Sequence, residues 1–375
     1  MKQGWQIKRL DDACEVEYGT RVVNKRDGGT IYPVYGGGGA TFFMDTYNRE
    51  NCFIVARFAM SAQCTRFVNG KFFLNDSGLS FKPKNTNEII QDFLNLQMLY
   101  LNDYIYSLAK GAAQKNLDVP AFRNIQINYP ISLTEQKRIV SILDEAFTAI
   151  AKAKANAEQN LQNAKELFES YLQGVFENKG DSWEEKTLGE VVEYDKNQNV
   201  HKGLPYVGLE HIESNSGRFI GSLDPQEVKS STFHFNDEHV LYGRLRPYLN
   251  KVLLPEFEGH CSTEIFPIKV KNEIKREFLF YWLIAGSTVK KIDSTWTGAR
   301  MPRANMNQVL GFDFAFPSIE EQQTIIKKLN TLSTETKKLE AIYQQKINNL
   351  DELKKSVLQK AFAGELQTSK VEVLV

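Results

Sequence analysis

The chain has little of what most metalloenzymes, secreted domains and membrane proteins display. Among its 375 residues only four are cysteine, Cys14, Cys52, Cys64 and Cys261. They show no C-x-x-C spacing and no adjacent histidine, which argues against a zinc ribbon and a disulfide framework and leaves a reduced cytoplasmic chain as the expectation. No apolar run approaches the ~18 residues a membrane helix requires, and the opening MKQGWQIKRLDD lacks an apolar signal core, so a soluble protein is expected. The five histidines form no H-E-x-x-H and no close pair, and no metal is expected. There is no G-x-x-x-x-G-K-[ST], which excludes an ordinary P-loop ATPase, and no Asn/Asp-Pro-Pro-aromatic tetrapeptide of the amino-methyltransferase kind. YGGGGA at 35–40 precedes TFFMDTY rather than a helix and reads as a turn between strands. Asp224, Glu227 and Lys229 in LDPQEVK have a loosely nuclease-like spacing, but a solvated turn is the better reading. No cofactor is called for, and nothing demands an enzyme. The net charge is also zero, so any phosphate binding requires local clusters of Lys and Arg.

What the chain has instead is a duplication. LTEQKRIVSILDEAF from Leu133 returns as IEEQQTIIKKLNTLS from Ile319, and the match continues without gaps to LFESYLQGVF against LKKSVLQKAF. Ile139 with Ile325, Leu143 with Leu329, Ser170 with Ser356 and Phe176 with Phe362 all pair at an offset of 186. Upstream, WQIKRL from Trp5 answers WEEKTL from Trp183 at an offset of 178. The edges of each unit have kept step while its middle has drifted. Two equivalent modules with an approximate internal two-fold relation follow.

From 135 to 176 apolar or small residues recur every three or four positions, through Ile139, Leu143, Ile150, Ala157, Ala164, Phe168, Tyr171 and Val175. This is a coiled-coil seam, and such a helix is about 60 Å long. The second copy carries Ile325, Leu329, Leu332, Thr336, Leu339, Tyr343, Ile347, Leu350 and Val357 on the same stripe. Small residues in one copy correspond to large ones in the other, which favours an antiparallel, interdigitated pair. Each helix starts after a proline with a capping signal: Pro130 and Ser132 or Thr134 in the first, Pro317 and the capping box Ser318 to Glu321 in the second. The predicted division is a head over 1–132, a helix over 133–179, a head over 180–318, a helix over 319–366 and a tail over 367–375.

The heads read as α+β. Short aromatic and β-branched runs, among them NCFIVARF, CTRFVNGKFFL, HVLYGRL and EIFPIKV, alternate with turn residues. EIIQDFLNLQMLYLNDYIYSLA and IKREFLFYWLIAGSTVKKI read as buried helices at equivalent places. Basic and amide residues cluster: Arg57, Gln63 and Arg66, then Lys110, Gln114, Lys115, Asn116 and Arg123 in the first head. In the second they are Arg244, Arg246, Tyr248, Asn250 and Lys251, then Arg300, Arg303, Asn305, Asn307 and Gln308. Arg pairs with guanine, and Asn or Gln with adenine, through two hydrogen bonds in the major groove. Gly111 and Gly298 mark one loop in both heads, 187 residues apart.

Paired W-x-x-x-x-L starts, GAAQKNL and TGARMPR ahead of the P-x-x-x-x-E-Q and P-x-x-x-E-Q helix starts, and L-x-x-S-x-L-Q-x-x-F near the helix end make the chain resemble the DNA-specificity subunit of type I restriction–modification systems, over nearly its whole length. The resemblance implies two target recognition domains joined by two long antiparallel helices, each domain reading half of a split DNA sequence. It implies a non-catalytic chain whose helices dock two methyltransferase subunits, through positions such as Gln136, Ile139, Leu143, Gln322, Ile325 and Leu329, with restriction subunits added in the full complex. The family's G-R-x-G-type strand-turn matches at Arg244 in GRLRPYLNK, whereas Arg57 stands in ARFAMSA without the flanking glycines. Two other readings remain open at this level: a two-headed adaptor for proteins, which neutral charge favours and the Arg/Asn/Gln loops oppose, and a divergent enzyme, which the missing motifs oppose.

Overall fold

The computed structural model describes residues 3–194, 198–298 and 300–366; the expected tail over 367–375 lies outside them. The chain divides into two compact units, one running to Ala157 and resuming at Gln345, the other spanning Glu158–Gln344. The two long helices, Leu133–Glu177 and Ile319–Phe362, therefore contribute to both units. Each unit consists of a head, the start of that head's own helix and the end of the other helix. The mixed α+β class and the long helices are as expected from the sequence.

Each head is closed by the same frame. Trp5–Arg9 pairs antiparallel with Gln126–Pro130, and Glu184–Thr187 pairs antiparallel with Asp313–Phe316. The next backbone bonds also correspond: Leu10 donates to the Ile125 carbonyl and Leu188 to the Phe312 carbonyl, both at 2.9 Å. Leu10 and Leu188 are fully buried, which explains why the W-x-x-x-x-L spacing persists. Trp5 begins its strand, Trp183 immediately precedes its own, and the leucine anchors each in the core.

The interiors differ. The first head holds one six-stranded sheet in the order Cys14–Tyr18, Gly78–Pro83, Arg49–Ala56, Thr65–Leu74, Tyr32–Tyr35, Ala40–Met44. The second holds two four-stranded sheets, one containing His239–Gly243 and Ile265–Val270, the other Thr232–Phe235 and Gly259–Cys261. The glycine run 36–39 joins the paired strands Tyr32–Tyr35 and Ala40–Met44, so it is a hairpin loop. Asp224 and Glu227 lie on an exposed loop. Each expected buried helix is a broken pair: Gln91–Tyr100 with Asn102–Ser107, and Arg276–Ile284 with Gly286–Asp293.

In the first unit the helix ends run antiparallel. Arg138 reaches the Leu366 carbonyl, the Lys354 ammonium sits 4.9 Å from the Phe147 ring centre, and Lys154 pairs with Asp351 at 2.7 Å. Ile139 and Leu143 share a core with Leu358, Ala361 and Phe362. In the second unit Leu172 and Leu329 lie in one core, with Phe168 and Phe176 packed against it. The buried stripe departs from the expected seam at Tyr171, Leu339 and Val357, the last only partly buried beside buried Leu358. Leu172 is buried where Tyr171 was expected, and Leu339 is exposed. A straight helix repeats every ~3.6 residues, so a 3.5-residue seam drifts off the contact line over several turns.

Ser132 and Ser318 cap the helices, each accepting the amide three residues on at 3.4 Å. The second capping box closes only halfway, because the Glu321 carboxylate accepts the Trp183 indole N–H instead. The expected partner-facing glutamines are a further correction. Gln136 and Gln322 are fully buried and make the same three hydrogen bonds. Gln136 accepts from Ile90 N and donates to the carbonyls of Glu88 and Pro130. Gln322 accepts from Lys275 N and donates to the carbonyls of Glu273 and Pro317. Each ties its helix to its own head, satisfying backbone groups that would otherwise be buried unpaired. Ile139, Leu143 and Leu329 are likewise core residues and Ile325 packs against the core, so these side chains face inward rather than toward a docking partner.

Candidate nucleic-acid interface

The two clusters named in each head converge, and they do so through one backbone scheme. In the first head Arg57 N donates to the Ser77 carbonyl, Leu117 N to the Arg57 carbonyl and Met60 N to the Lys115 carbonyl. In the second, Arg244 N donates to the Glu264 carbonyl, Ala304 N to the Arg244 carbonyl and Arg246 N to the Pro302 carbonyl. Arg57 and Arg244, Ser77 and Glu264, Leu117 and Ala304, and Lys115 and Pro302 all stand 187 positions apart. Arg57, which lacks the flanking glycines of the sequence pattern, thus occupies the structural position of Arg244.

The loop carrying the glycines is a hairpin in both heads: Lys110 pairs with Asn116, and Thr297 with Arg303. Gly111 and Gly298 have φ of 116° and 95°. A side chain there would press on the carbonyl three residues on, that of Gln114 or Met301, so glycine is required twice by the same turn. Each hairpin leads into a short helix with an equivalent cap. Asp118 accepts from Ala121 N, and Asn305 accepts from Gln308 N.

On this shared frame the side chains differ. In the first head the Arg57 guanidinium lies 4.2 Å from the Phe58 ring centre and 5.0 Å from that of Tyr18, and donates to the Asp76 carbonyl. Arg66 donates to the carbonyls of Gly37 and Gln63, tying the glycine hairpin to this edge. Lys110 pairs with Asp118, whose carboxyl is held low first by that contact and then by its cap bond to Ala121. Lys115 lies over the Tyr106 ring, Asn116 accepts from Ala59 N, and Gln114 is exposed at the tip. Arg123 is bound to Asp11 and to the Val16 carbonyl.

In the second head Arg244 and Arg303 converge on one carboxylate, Glu264. Arg244 Nε donates to Oε2 at 2.9 Å, and Arg303 Nη2 to Oε1 at 2.7 Å. Burial alone would raise the Glu264 carboxyl, but the hydrogen bonds from Arg303 and Arg244 bring it below the usual range, and Arg303 is raised in turn. Both arginines line a cleft of about 810 Å³ with Tyr194, Phe266, Asn305 and Asn307. At the surface beside it stand exposed Arg246 and Arg300 with Tyr248, Trp296 and Met301, the last three 52%, 50% and 47% exposed. Arginine forks with aromatic faces and amide groups can hold phosphates, stack on bases and read base edges.

Two of the expected base-reading amides hold the fold instead. Asn250 is buried at a left-handed φ of 46° and donates to the Ile284 carbonyl. The Asn305 carboxamide oxygen is the helix cap described above. Sequence reading missed Glu264 and Trp296. The 187-residue register, extended back from the glycine loop, would have aligned Glu264 with Ser77 and Trp296 with Ala109 as positions where the heads differ.

Other chemistry is sparse. Cys14, Cys64 and Cys261 are buried, and burial pushes the thiols up, to about 12 at Cys14 and about 11 at Cys64, which makes them poor nucleophiles. His201, His234 and His260 do come together, with ring centres 5.6–5.8 Å apart across His201. Among the described residues no group of three or more His, Cys, Asp or Glu could hold a metal ion, and no helix is long and apolar enough to cross a membrane.

Against known proteins, the family model described as type I restriction modification DNA specificity domain matches twice, over residues 2–160 and 180–349. The chain is 28% identical over 158 residues to the type I restriction enzyme EcoDI specificity subunit of Escherichia coli, an overlap of 42% of this chain and 35% of that protein. It is 25% identical over 297 residues to the StySPI specificity subunit of Salmonella potsdam, covering 71% of this chain and 63% of that protein. The chain thus spans about a third of the first relative and somewhat under two thirds of the second. Among solved structures, a chain from work on complex assembly and conformational transition of the type I R-M system superposes with a TM-score of 0.77 at 15% identity, covering 98% of this chain and 99% of that one. The HsdS subunit from Thermoanaerobacter tengcongensis gives a TM-score of 0.56 at 16% identity, with 98% of both chains covered. At these identities the likeness is one of fold.

Proposed function

The chain belongs to the family of type I restriction–modification DNA specificity domains, and on that premise we propose that it is the non-catalytic, cytoplasmic subunit that selects the DNA target of such a system. In this reading each head recognises one half of a split double-stranded sequence. The proposed domains are a first head over 1–132, a segment over 133–179 built on the helix Leu133–Glu177, a second head over 180–318 and a segment over 319–366 built on the helix Ile319–Phe362, with 367–375 outside the described residues. The helices serve two methyltransferase subunits, with restriction subunits joining in the full complex. Methyl transfer and cleavage then belong to those partners, and this chain needs no cofactor.

One observation carries the reading. The same loop frame, with its positive-φ glycine and its arginine-anchored backbone bonds, is built twice and furnished with different polar side chains. That is what two half-sites of different sequence require. Lys110, Gln114, Lys115 and Asn116 are the contact set proposed for the first head, with Arg57 and Arg66 at its base. Arg244, Arg246, Tyr248, Arg300 and Arg303 are the set for the second. Because the net charge is zero, attraction to phosphate must come from these clusters alone. With Gln136 and Gln322 buried, docking of partners falls to exposed helix residues such as Leu167, Tyr171, Leu339 and Ile342.

A gel-shift selection from a random-duplex library, with and without methyltransferase subunits, tests the proposal. Enrichment of a split motif is the expected result. An absence of enrichment in both conditions would favour the protein-adaptor reading, and cleavage or methylation by this chain alone would favour an enzyme.

A further inference from the structure

We propose that Glu264 is a positioning residue for base recognition in the second head: it turns Arg244 so that its two terminal amino groups read a guanine. This inference rests on the DNA-recognition reading. Glu264 is itself held firmly, since its amide donates to Ser262 Oγ at 3.2 Å and its carbonyl accepts Arg244 N at 2.9 Å. Its carboxylate then separates the roles of the two arginines. Arg303 is tied down through all three nitrogens: Nε and Nη2 lie on the carboxylate at 3.0 and 2.7 Å, and Nη1 lies on the Met301 carbonyl at 3.3 Å, which leaves each terminal nitrogen one further N–H. Arg244 gives only Nε, at 2.9 Å. Among the described residues its Nη1 and Nη2 have no hydrogen-bond partner, and the side chain forms part of the cleft wall.

A guanidinium held by Nε from behind, with its face 5.2 Å from the Phe266 ring centre, has lost most of its rotational freedom. It presents two parallel N–H donors at its end. Guanine offers the matching pair of acceptors, O6 and N7, on its major-groove edge, whereas adenine places a donor where guanine has O6. The carboxylate also cancels one of the two positive charges, so the pair attracts phosphate less and discriminates bases more. The first head lacks this device. Ser77 stands at the position of Glu264 and Asn116 at that of Arg303, and Arg57 is oriented by rings and a backbone carbonyl instead. The effect of Glu264 is therefore confined to one half-site.

The test is duplex selection with the full chain as wild type, Glu264→Gln and Arg244→Ala, each first checked for an unchanged unfolding midpoint. The wild type is expected to enrich a split motif with a guanine whose replacement by 7-deazaguanine weakens binding. Both variants are expected to lose about 10- to 100-fold of the preference for that guanine, with the other half of the motif and the spacing unchanged, and to become insensitive to 7-deazaguanine. A Glu264→Gln variant that keeps the full preference, loses both half-sites together or unfolds assigns Glu264 a structural role and overturns the proposal. So does an Arg244→Ala variant that still selects the guanine. If the wild type enriches no split motif, it is the DNA-recognition reading that fails first.

Discussion

The glycine hairpins of the two heads close through equivalent backbone pairs, Lys110 with Asn116 and Thr297 with Arg303, yet the side chains around the shared glycine differ. Ala109 answers Trp296, Lys110 answers Thr297, Gln114 answers Met301 and Asn116 answers Arg303. The glycine stays because no other residue fits the turn. The cap position keeps an Asx residue, Asp118 or Asn305, because an amide needs an acceptor there. The same contrast holds at larger scale: the frame strands, the anchoring leucines and the buried glutamines repeat, while one interior sheet is replaced by two. What is shared answers to hydrogen bonds and packing that any such unit must satisfy; what differs is free to answer to something outside the chain.

The largest expected effect probes the shared part. Gln136→Leu and Gln322→Leu each remove three hydrogen bonds and leave three backbone groups without this partner, so each should cost about 3 kcal/mol of stability in chemical denaturation. Similar losses are expected from the two, and a cost at one only would break the equivalence of the frames. Next, Arg244→Ala and Arg300→Ala should each lower base discrimination by about 1–3 kcal/mol in one half-site alone. Unchanged motifs in both would remove these residues from the reading surface. Asp118→Ala and Asn305→Ala should each cost about 1 kcal/mol as lost helix caps. Asn305→Ala is expected to leave the selected sequence as it is, which separates capping from reading at a residue whose type fits either role.

The smallest effect concerns pH. All five histidines lie between 201 and 260, in the second head. Burial first, and then the His260 and His234 rings, hold His201 below its ordinary value of 6.5. The unfolded chain therefore takes up the proton first, and this contribution to stability, present above about pH 6.5, is lost as pH falls through the folded value. Acidification from neutrality should weaken the second unit through this group, and His201→Asn should flatten the dependence. An equal histidine-range slope in the variant would show that His201 is not its source.

The duplication, the helix starts and the α+β heads were legible in the sequence because each follows from local pattern: apolar spacing, proline and serine before a helix, β-branched runs between turns. The convergence of 57–66 with 110–117, and of 244–246 with 300–305, was not legible, because it depends on bonds between segments about sixty residues apart. Asn250 and Asn305 show the limit of reading by residue type. An asparagine that caps a helix or occupies a left-handed turn looks the same in sequence as one that reads adenine, and only its backbone angle and burial separate them. Gln136 and Gln322 show the same limit on the helices, where a repeated polar residue resembled a docking site and is an internal tie.

The most direct test of the account exchanges the loops. Residues 296–303 are replaced by the segment Ala109–Asn116 of the first head, and the variant is carried through duplex selection beside the wild type. The account predicts that one half of the enriched motif changes while the other half and the distance between them stay the same. A change in both halves, or an unaltered motif, would contradict it.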